Sequence, residues 1–335
     1  MDNRCWVLSQ RPDGNSYENA LTLVDMPLAA LEDGQFLLRN RILSMDTGTR
    51  MYMTDREDSY QPGVPLGSPM LGTVVGEVVQ SRHASYSAGD IVRCYGNWSD
   101  YSVVAPDETY AAKILNPSDD LKTYVGALGA NGWTAYVGVV EVGKAKAGEA
   151  FVVSAAAGCT GIMAGQIAKI MGCRVIGIAG SDEKGEILRS DYGFDATINY
   201  KTEDVSEKLG EHAANGVDIY FDNVGGDILD AVMPQMADFG RIPVCGLITN
   251  YIASGKVPGP ANYDLVLMKR LRIEGFFSPD FYVREPEFNP KLIAWMDEGR
   301  LKLPFDTTTG LENTVTAYSK LFSGQNLGKV VVELP

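Results

Sequence analysis

The sequence predicts an α/β protein in which a doubly wound parallel sheet is joined to a smaller domain of short β-strands. One strand–helix–strand unit is legible over residues 150–180, and four more strand-like runs alternate with helical stretches after it. Ahead of it, residues 1–127 carry short apolar runs broken by turn residues.

In the first 127 residues the strand candidates are 22–24, 36–39, 73–79, 91–94 and 101–104. Asp33-Gly34, Pro62-Gly63 and Ala88-Gly89-Asp90 supply turns, and the spacing predicts a small barrel-like domain. From Ser118, read as an N-cap, the pattern is helical through Val142 with an interruption at Gly129 to Gly132. The run Ala150-Phe151-Val152-Val153-Ser154 then breaks into Ala155-Ala156-Ala157-Gly158-Cys159-Thr160-Gly161. A helical stretch at 162–171 and a second apolar run at 174–179 complete the unit. Runs at 196–200, 217–222, 241–246 and 271–277 bring the strands to six, the number in a dinucleotide-binding sheet. Residues 292–298 read as a short helix. The last run, 329–334, is expected to return to the β domain. The expected division is 1–127, 128–301 and 302–335.

Composition narrows the function. The chain has 335 residues, 45% hydrophobic and 21% charged, as in an ordinary globular protein. A net charge of −14 opposes nucleic acid and anionic membrane as partners, because their phosphates would be repelled. No long uncharged apolar segment is present, and Met1-Asp2-Asn3-Arg4-Cys5-Trp6 does not read as a secretory signal. Five scattered cysteines suggest no disulfide framework, so a reduced, cytoplasmic setting is expected. The two histidines, His83 and His212, fall in polar stretches and are expected to be solvated. No metal-ligand set is readable, and a zinc alcohol dehydrogenase is rejected.

The turn at 155–161 is the most informative stretch. Small residues let the backbone approach a pyrophosphate, and a helix N-terminus points N–H groups at its charge. The spacing Ala155-x-x-Gly158-x-x-Gly161 is a variant of the dinucleotide fingerprint with alanine in first place. Two glycines alone would serve close helix–strand packing; the flanking strands favour the dinucleotide. At the end of the second strand, Ala179-Gly180-Ser181 precedes Asp182-Glu183-Lys184. No acid sits at the tip to bind a ribose 2′-hydroxyl. Ser181 and Lys184 suit a 2′-phosphate instead, which favours NADPH. Asp222-Asn223-Val224-Gly225-Gly226 and the stretch from Cys245 to Tyr251 end later strands, where ligands of open α/β sheets lie.

Several segments carry a resemblance. They are Leu43-Ser44-Met45-Asp46, Ser59-Tyr60-Gln61-Pro62, Gly132-Trp133-Thr134-Ala135-Tyr136, Ala155-Ala156-Ala157-Gly158, Gly180-Ser181-Asp182-Glu183-Lys184, Asn199-Tyr200-Lys201, Phe221-Asp222-Asn223-Val224-Gly225-Gly226 and Asn326-Leu327-Gly328-Lys329. In this order they resemble the zinc-independent medium-chain dehydrogenase/reductases, in the branch of prostaglandin, alkenal double-bond and curcumin reductases. The resemblance implies a Rossmann NADPH-binding domain inserted into a β-rich, GroES-like catalytic domain, and a homodimer. It implies that Gly158, Cys159, Thr160 and Gly161 hold the pyrophosphate, while Lys184 and Tyr200 hold the 2′-phosphate. Thr134, Asn223, Cys245, Ile248, Tyr251, Phe276, Ser278 and Asn326 would line the remaining cofactor. The chain departs where relatives commonly read Asp-Pro-Tyr-Met-Arg: Asp46-Thr47-Gly48-Thr49-Arg50 loses a pocket tyrosine. Met268 stands where prostaglandin reductases carry another.

The chemistry expected is reduction of the carbon–carbon double bond of an α,β-unsaturated ketone or aldehyde. Hydride reaches the β-carbon, charge collects on the carbonyl oxygen, and the α-carbon is protonated. Such a site needs orientation and hydrogen-bond donors more than a strong base. Tyr60 and Tyr251 are the candidate catalytic donors. Met51, Tyr52, Trp98, Trp133 and Phe277 could wall an apolar pocket. NADPH:quinone reduction and a nonenzymatic NADPH-binding redox sensor remain as other readings.

Overall fold

The structure is a computed structural model that describes residues 2–55, 62–253 and 257–335. The chain divides into two compact units, 1–125 with 305–335, and 126–304.

The first unit begins with β1 (Asp2–Leu8), β2 (Leu21–Pro27), β3 (Phe36–Ser44), β4 (Leu71–Ser81), β5 (Ile91–Asn97), β6 (Tyr101–Val104) and β7 (Ala112–Lys113). The second runs α1 (Ala130–Tyr136), β8 (Ala150–Val153), α2 (Cys159–Ile170), β9 (Arg174–Ala179), α3 (Asp182–Tyr192), β10 (Ala196–Asn199), α4 (Val205–His212) and β11 (Val217–Phe221). It continues through α5 (Gly226–Val232), β12 (Met236–Val244), α6 (Ile248–Tyr251), α7 (Asp264–Met268), β13 (Arg272–Gly275) and α8 (Glu285–Asp297). The chain then supplies β14 (Phe305–Thr309), α9 (Thr314–Ser323) and β15 (Lys329–Glu333) to the first unit.

Among the described residues the second unit holds a six-stranded sheet in the order β10-β9-β8-β11-β12-β13, its neighbours all parallel. Parallel strands covered by helices read as continuous apolar runs, which is why 150–153 and 174–179 were legible. Val152, Ile176, Ile178, Tyr220 and Ile242 are buried in one core with Leu209 of α4 and Val232 of α5. Each such aliphatic side chain contributes about 1.5–3 kcal/mol. The order reverses between β8 and β11, the switch point where a doubly wound sheet opens a crevice.

The first unit is sheet-rich. Its path is β14-β15-β3-β4-β5-β7, with β6 paired to β3 and β1 paired to β2. β3 alternates buried and half-buried positions, and Phe36, Leu38 and Leu43 have no exposed surface. That alternation marks a strand with one face in a core.

Three local expectations change. Ser118 caps no long helix: Leu121–Val125 is a short 3-10 turn, and α1 starts at Ala130 with Gly129 as N-cap. Gly132 lies inside α1, where a Cβ would stand 1.8 Å from the Ala127 carbonyl oxygen, so it serves packing there. The helix expected at 292–298 begins at Glu285, because Pro286 sits in the first turn, where no amide hydrogen is needed.

Candidate functional site

β8 ends against a tight turn. Ala155 adopts φ +46°, a left-handed conformation costly for a residue with a Cβ. The Gly158 amide donates to the Ala155 carbonyl at 2.9 Å, and Gly158 becomes the N-cap of α2 with no side-chain cap. Ala155 is exposed, while Gly158, Cys159 and Thr160 are half-buried. A Cβ on Gly161 would lie 2.4 Å from the Ala155 carbonyl oxygen and 2.8 Å from Ala156 Cα. The turn therefore lies directly on the first turn of the helix, and the helix start faces outward with backbone amides for an anion. Thr160 Oγ1 accepts from Asn131 Nδ2 at 3.2 Å, which ties α1 to the cradle.

The tip of β9 adds a second group. Ser181 is the N-cap of α3, its hydroxyl accepting from the Lys184 amide at 3.3 Å. A Cβ on Gly180 would meet the Tyr200 ring at 3.2 Å, its hydroxyl at 3.3 Å and Lys201 Cε at 3.4 Å. Tyr200 is 47% exposed, and Lys184 is half-buried on the first turn of α3. A phenol and two lysines thus flank the strand tip, a donor set suited to a phosphate dianion.

Asp222 joins the strand ends. Its Oδ1 accepts from Tyr220 Oη at 2.9 Å, Val224 N at 3.0 Å and Gly225 N at 2.9 Å. Its carbonyl accepts from the amides of Cys245 and Gly246, at 2.9 and 3.1 Å. Asn223 reaches across to β8, donating from N to Ser154 Oγ at 3.0 Å and from Nδ2 to Ser154 O at 2.8 Å. The ends of β8, β11 and β12 are consequently held in one arrangement. Asp222 is fully buried, and desolvation raises its pKa above the ordinary carboxylate value against those hydrogen bonds. Burial also pushes the Cys245 thiol far up, with Asp222 adding to it, which disfavours the thiolate.

Two families match the chain: "N-terminal domain of oxidoreductase" over residues 4–112, and "Zinc-binding dehydrogenase" over 159–298. The NADPH-dependent curcumin reductase of Escherichia coli is 39% identical, over 99% of this chain and 97% of its own. The NADP(+)-dependent 2-alkenal reductase of Nicotiana tabacum is 41% identical, over 88% and 86%. The crystal structure of CurA from Vibrio vulnificus in complex with NADPH superposes with a TM-score of 0.92 at 37% identity, over 99% of both chains.

The chain belongs to the medium-chain dehydrogenase/reductases.

Within that family it falls in the zinc-independent branch of curcumin and alkenal reductases. Zinc appears in one family's name; among the described residues no group of three His, Cys, Asp or Glu is placed to hold a metal ion. His83 is half-buried rather than solvated, its Nδ1 accepting from the Ser85 amide at 3.0 Å in a turn. His212, also half-buried, ends α4.

The sequence-derived cofactor residues group by unit. Gly158, Cys159, Thr160, Gly161, Ser181, Lys184, Tyr200, Asn223, Cys245, Ile248 and Tyr251 all follow the carboxyl ends of parallel strands in the second unit. Phe276 and Ser278 follow β13, and Thr134 lies half-buried in α1. A dinucleotide fits this edge: Gly158 caps the outward-facing start of α2 with only the Ala155 carbonyl within 4 Å of a new Cβ, while Gly161 lets the helix pack directly on the turn. Asn326 belongs to the first unit, 8% exposed, its Nδ2 donating to Gly328 O at 3.3 Å. Tyr60 lies outside the described residues. Trp98 and Trp133, read as pocket wall, are core residues with 0% and 1% exposure.

Sequence reading passed over the roles of Ser154 and Lys201 and the buried hydrogen-bond hub at Asp222. Asp222 was legible only as turn chemistry before two glycines; an aspartate accepting from amides two and three residues on is the pattern that marks it. Lys201 stood beside Tyr200 without any signal that its stem reaches Gly180.

Proposed function

We propose that this protein reduces the carbon–carbon double bond of α,β-unsaturated ketones or aldehydes with NADPH as cofactor. The observation that carries the reading is the cradle at 155–161, where Gly161 cannot accept a Cβ, set beside Tyr200, Lys184 and Lys201 at the tip of β9. The names of the curcumin and alkenal relatives supply the reaction class. When bound, NADPH supplies the hydride that reaches the β-carbon.

In this reading Gly158, Cys159, Thr160 and Gly161 hold the pyrophosphate, and Ser181, Lys184, Lys201 and Tyr200 hold the 2′-phosphate. Asn223, Cys245, Ile248, Phe276, Ser278 and Thr134 line the rest. The two units correspond to a cofactor domain and a catalytic domain. Tyr251 Oη, with Tyr60 as the other candidate, donates to the carbonyl oxygen as charge builds there; one such donor is worth about 10²–10³ in rate. Tyr251 closes α6 beside Gly246, where a Cβ would lie 3.6 Å from its hydroxyl. The expected partner is a small enone. No helix among the described residues is long and apolar enough to cross a membrane, and the net charge of −14 disfavours nucleic acid. A cytoplasmic homodimer completes the reading. Its support is β13 at the sheet end, with exposed Ile273, Leu267 and Met268 around an edge that pairs only with β12 among the described residues.

The test follows NADPH absorbance with purified protein against enones and simple quinones, with NADH in parallel. Enone-dependent oxidation that prefers NADPH, and a raised KM for NADPH in Lys184→Ala, are expected. Quinone turnover without enone turnover would transfer the site to quinone reduction. NADPH binding without turnover of any of them would overturn the enone assignment.

A further inference from the structure

The sheet-rich unit buries a cation that the nucleotide cradle does not use. Arg50, in the turn Thr47–Met53, is 5% exposed. Its Nη2 donates to the carbonyls of Pro12 at 3.1 Å and Gly14 at 3.4 Å, while Nε and Nη1 have no protein acceptor. Beside it stand Tyr17 and Tyr318, at 1% and 0% exposure, their rings edge to face at 4.9 Å. Neither phenol has a hydrogen-bond partner. Arg50 acts on both hydroxyls, drawing their pKa values down; burial outweighs it, pushing Tyr17 up to about 12 and Tyr318 well above its ordinary value. Trp98 and Phe322 pack on Tyr318 with ring centroids 5.2 and 5.3 Å away.

Among the described residues Arg50 has no carboxylate of its own. The nearby carboxylate is Asp46, which also acts on Tyr318, but its Oδ1 accepts from Lys329 Nζ at 2.6 Å and its Oδ2 from Ser44 Oγ. Lys329 is itself 1% exposed. That carboxylate therefore belongs to Lys329, and no ion pair joins Arg50 to an acid among the described residues. Two guanidinium nitrogens and two phenol hydroxyls are thus left without partners around one buried cation. A buried guanidinium without counter-charge is costly. Charge-assisted hydrogen bonds from a guanidinium and phenols are what a small anion takes.

We propose that Arg50, Tyr17 and Tyr318 enclose a binding site for one small monovalent anion of halide size. A single negative charge balances the cluster, whereas a dianion would reverse its sign. Water would satisfy the donors but leave the charge in place. Anion binding here stabilises the sheet-rich unit and is independent of NADPH.

The test uses the full chain. Thermal melts are run in sodium gluconate, whose anion is too bulky for a buried pocket, with sodium bromide or chloride exchanged in at constant ionic strength. A saturable rise of the midpoint, about 5 °C at a hundred times the dissociation constant, is expected. Arg50→Met removes this dependence, and Tyr318→Phe shifts the half-saturating concentration upward at least threefold. Crystals soaked in bromide give an anomalous peak within hydrogen-bond reach of Arg50 Nε. An unsaturable response, one identical in both variants, or bromide confined to the surface with water beside Arg50 overturns the proposal. If Arg50→Met does not fold, Tyr318→Phe and the bromide map decide it.

Discussion

Replacing Gly161 with alanine tests the cradle with a single methyl group. The added Cβ would stand 2.4 Å from the Ala155 carbonyl oxygen. An ordinary contact of that kind is about 3.3 Å, so the oxygen must retreat by roughly 0.9 Å. Ala155 has little room to yield, since its φ of +46° is already strained. Overpacking of this type costs about 1–3 kcal/mol, and the better helix propensity of alanine returns at most about 1. The net loss is about 0–2 kcal/mol of stability when that return is complete. Cofactor binding suffers more, because a displacement near 1 Å at a positioning turn costs up to about 100-fold. Gly161→Ala should therefore lower the melting temperature by at most a few degrees and raise the KM for NADPH by about 10–100-fold. Gly210→Ala is the control: it lies in α4, where the nearest atom to a new Cβ is Gln235 Oε1 at 3.6 Å. That variant should be neutral or slightly more stable. Melting curves and initial rates over a range of NADPH concentration read both effects. If Gly161→Ala keeps the wild-type KM within twofold, the pyrophosphate does not lie against this turn.

Other outcomes follow from the same geometry. Lys184→Ala should raise the KM for NADPH about 10–100-fold while leaving NADH unchanged, as expected for a lost hydrogen bond to a charged group; kinetics with the two cofactors separate these. Asp222→Ala deprives four donors of their acceptor and should cost about 3–5 kcal/mol by denaturant titration, whereas Asp222→Asn keeps Oδ1 and should cost about 1. Because the Asp222 pKa is raised in the fold, its contribution is fully present below the unfolded carboxylate pKa, near 3.9, and declines as pH rises through the folded value. Melts from about pH 4 upward should show wild type losing ground to Asp222→Asn; parallel curves would contradict the burial argument. Ile273→Lys places a charge on the open edge of β13 and should convert a species of twice 36.3 kDa to one of 36.3 kDa in sedimentation. An unchanged mass would remove that edge from the interface.

The parts of the fold that were legible are those where one local pattern decides the structure. The runs at 150–153 and 175–179 are apolar because both sheet faces are covered, and Gly161 stands where no Cβ fits. What stayed hidden depends on distant partners. Lys329 reads as a surface lysine in Gly328-Lys329-Val330, and only Asp46, 283 residues away, explains its burial. Asp222 likewise takes its meaning from Ser154 and Cys245, which no window around residue 222 contains. The π-helical turn at Val137–Val142 looks like an ordinary continuation of α1, since its valines fill the same apolar face under either hydrogen-bond pattern.

The placement of β15 sets a timetable for synthesis. β15 pairs with β3 on one side and β14 on the other, and Lys329 Nζ bonds the Met45 carbonyl across 284 residues. At about 5–20 residues per second, β3 waits roughly 15–60 s for that neighbour after it has been made. The parallel sheet of the second unit, with all its strands between 150 and 275, is fully encoded before β14 is translated. A nascent chain would thus carry a finished nucleotide cradle while the edge of β3 still lacks its partner.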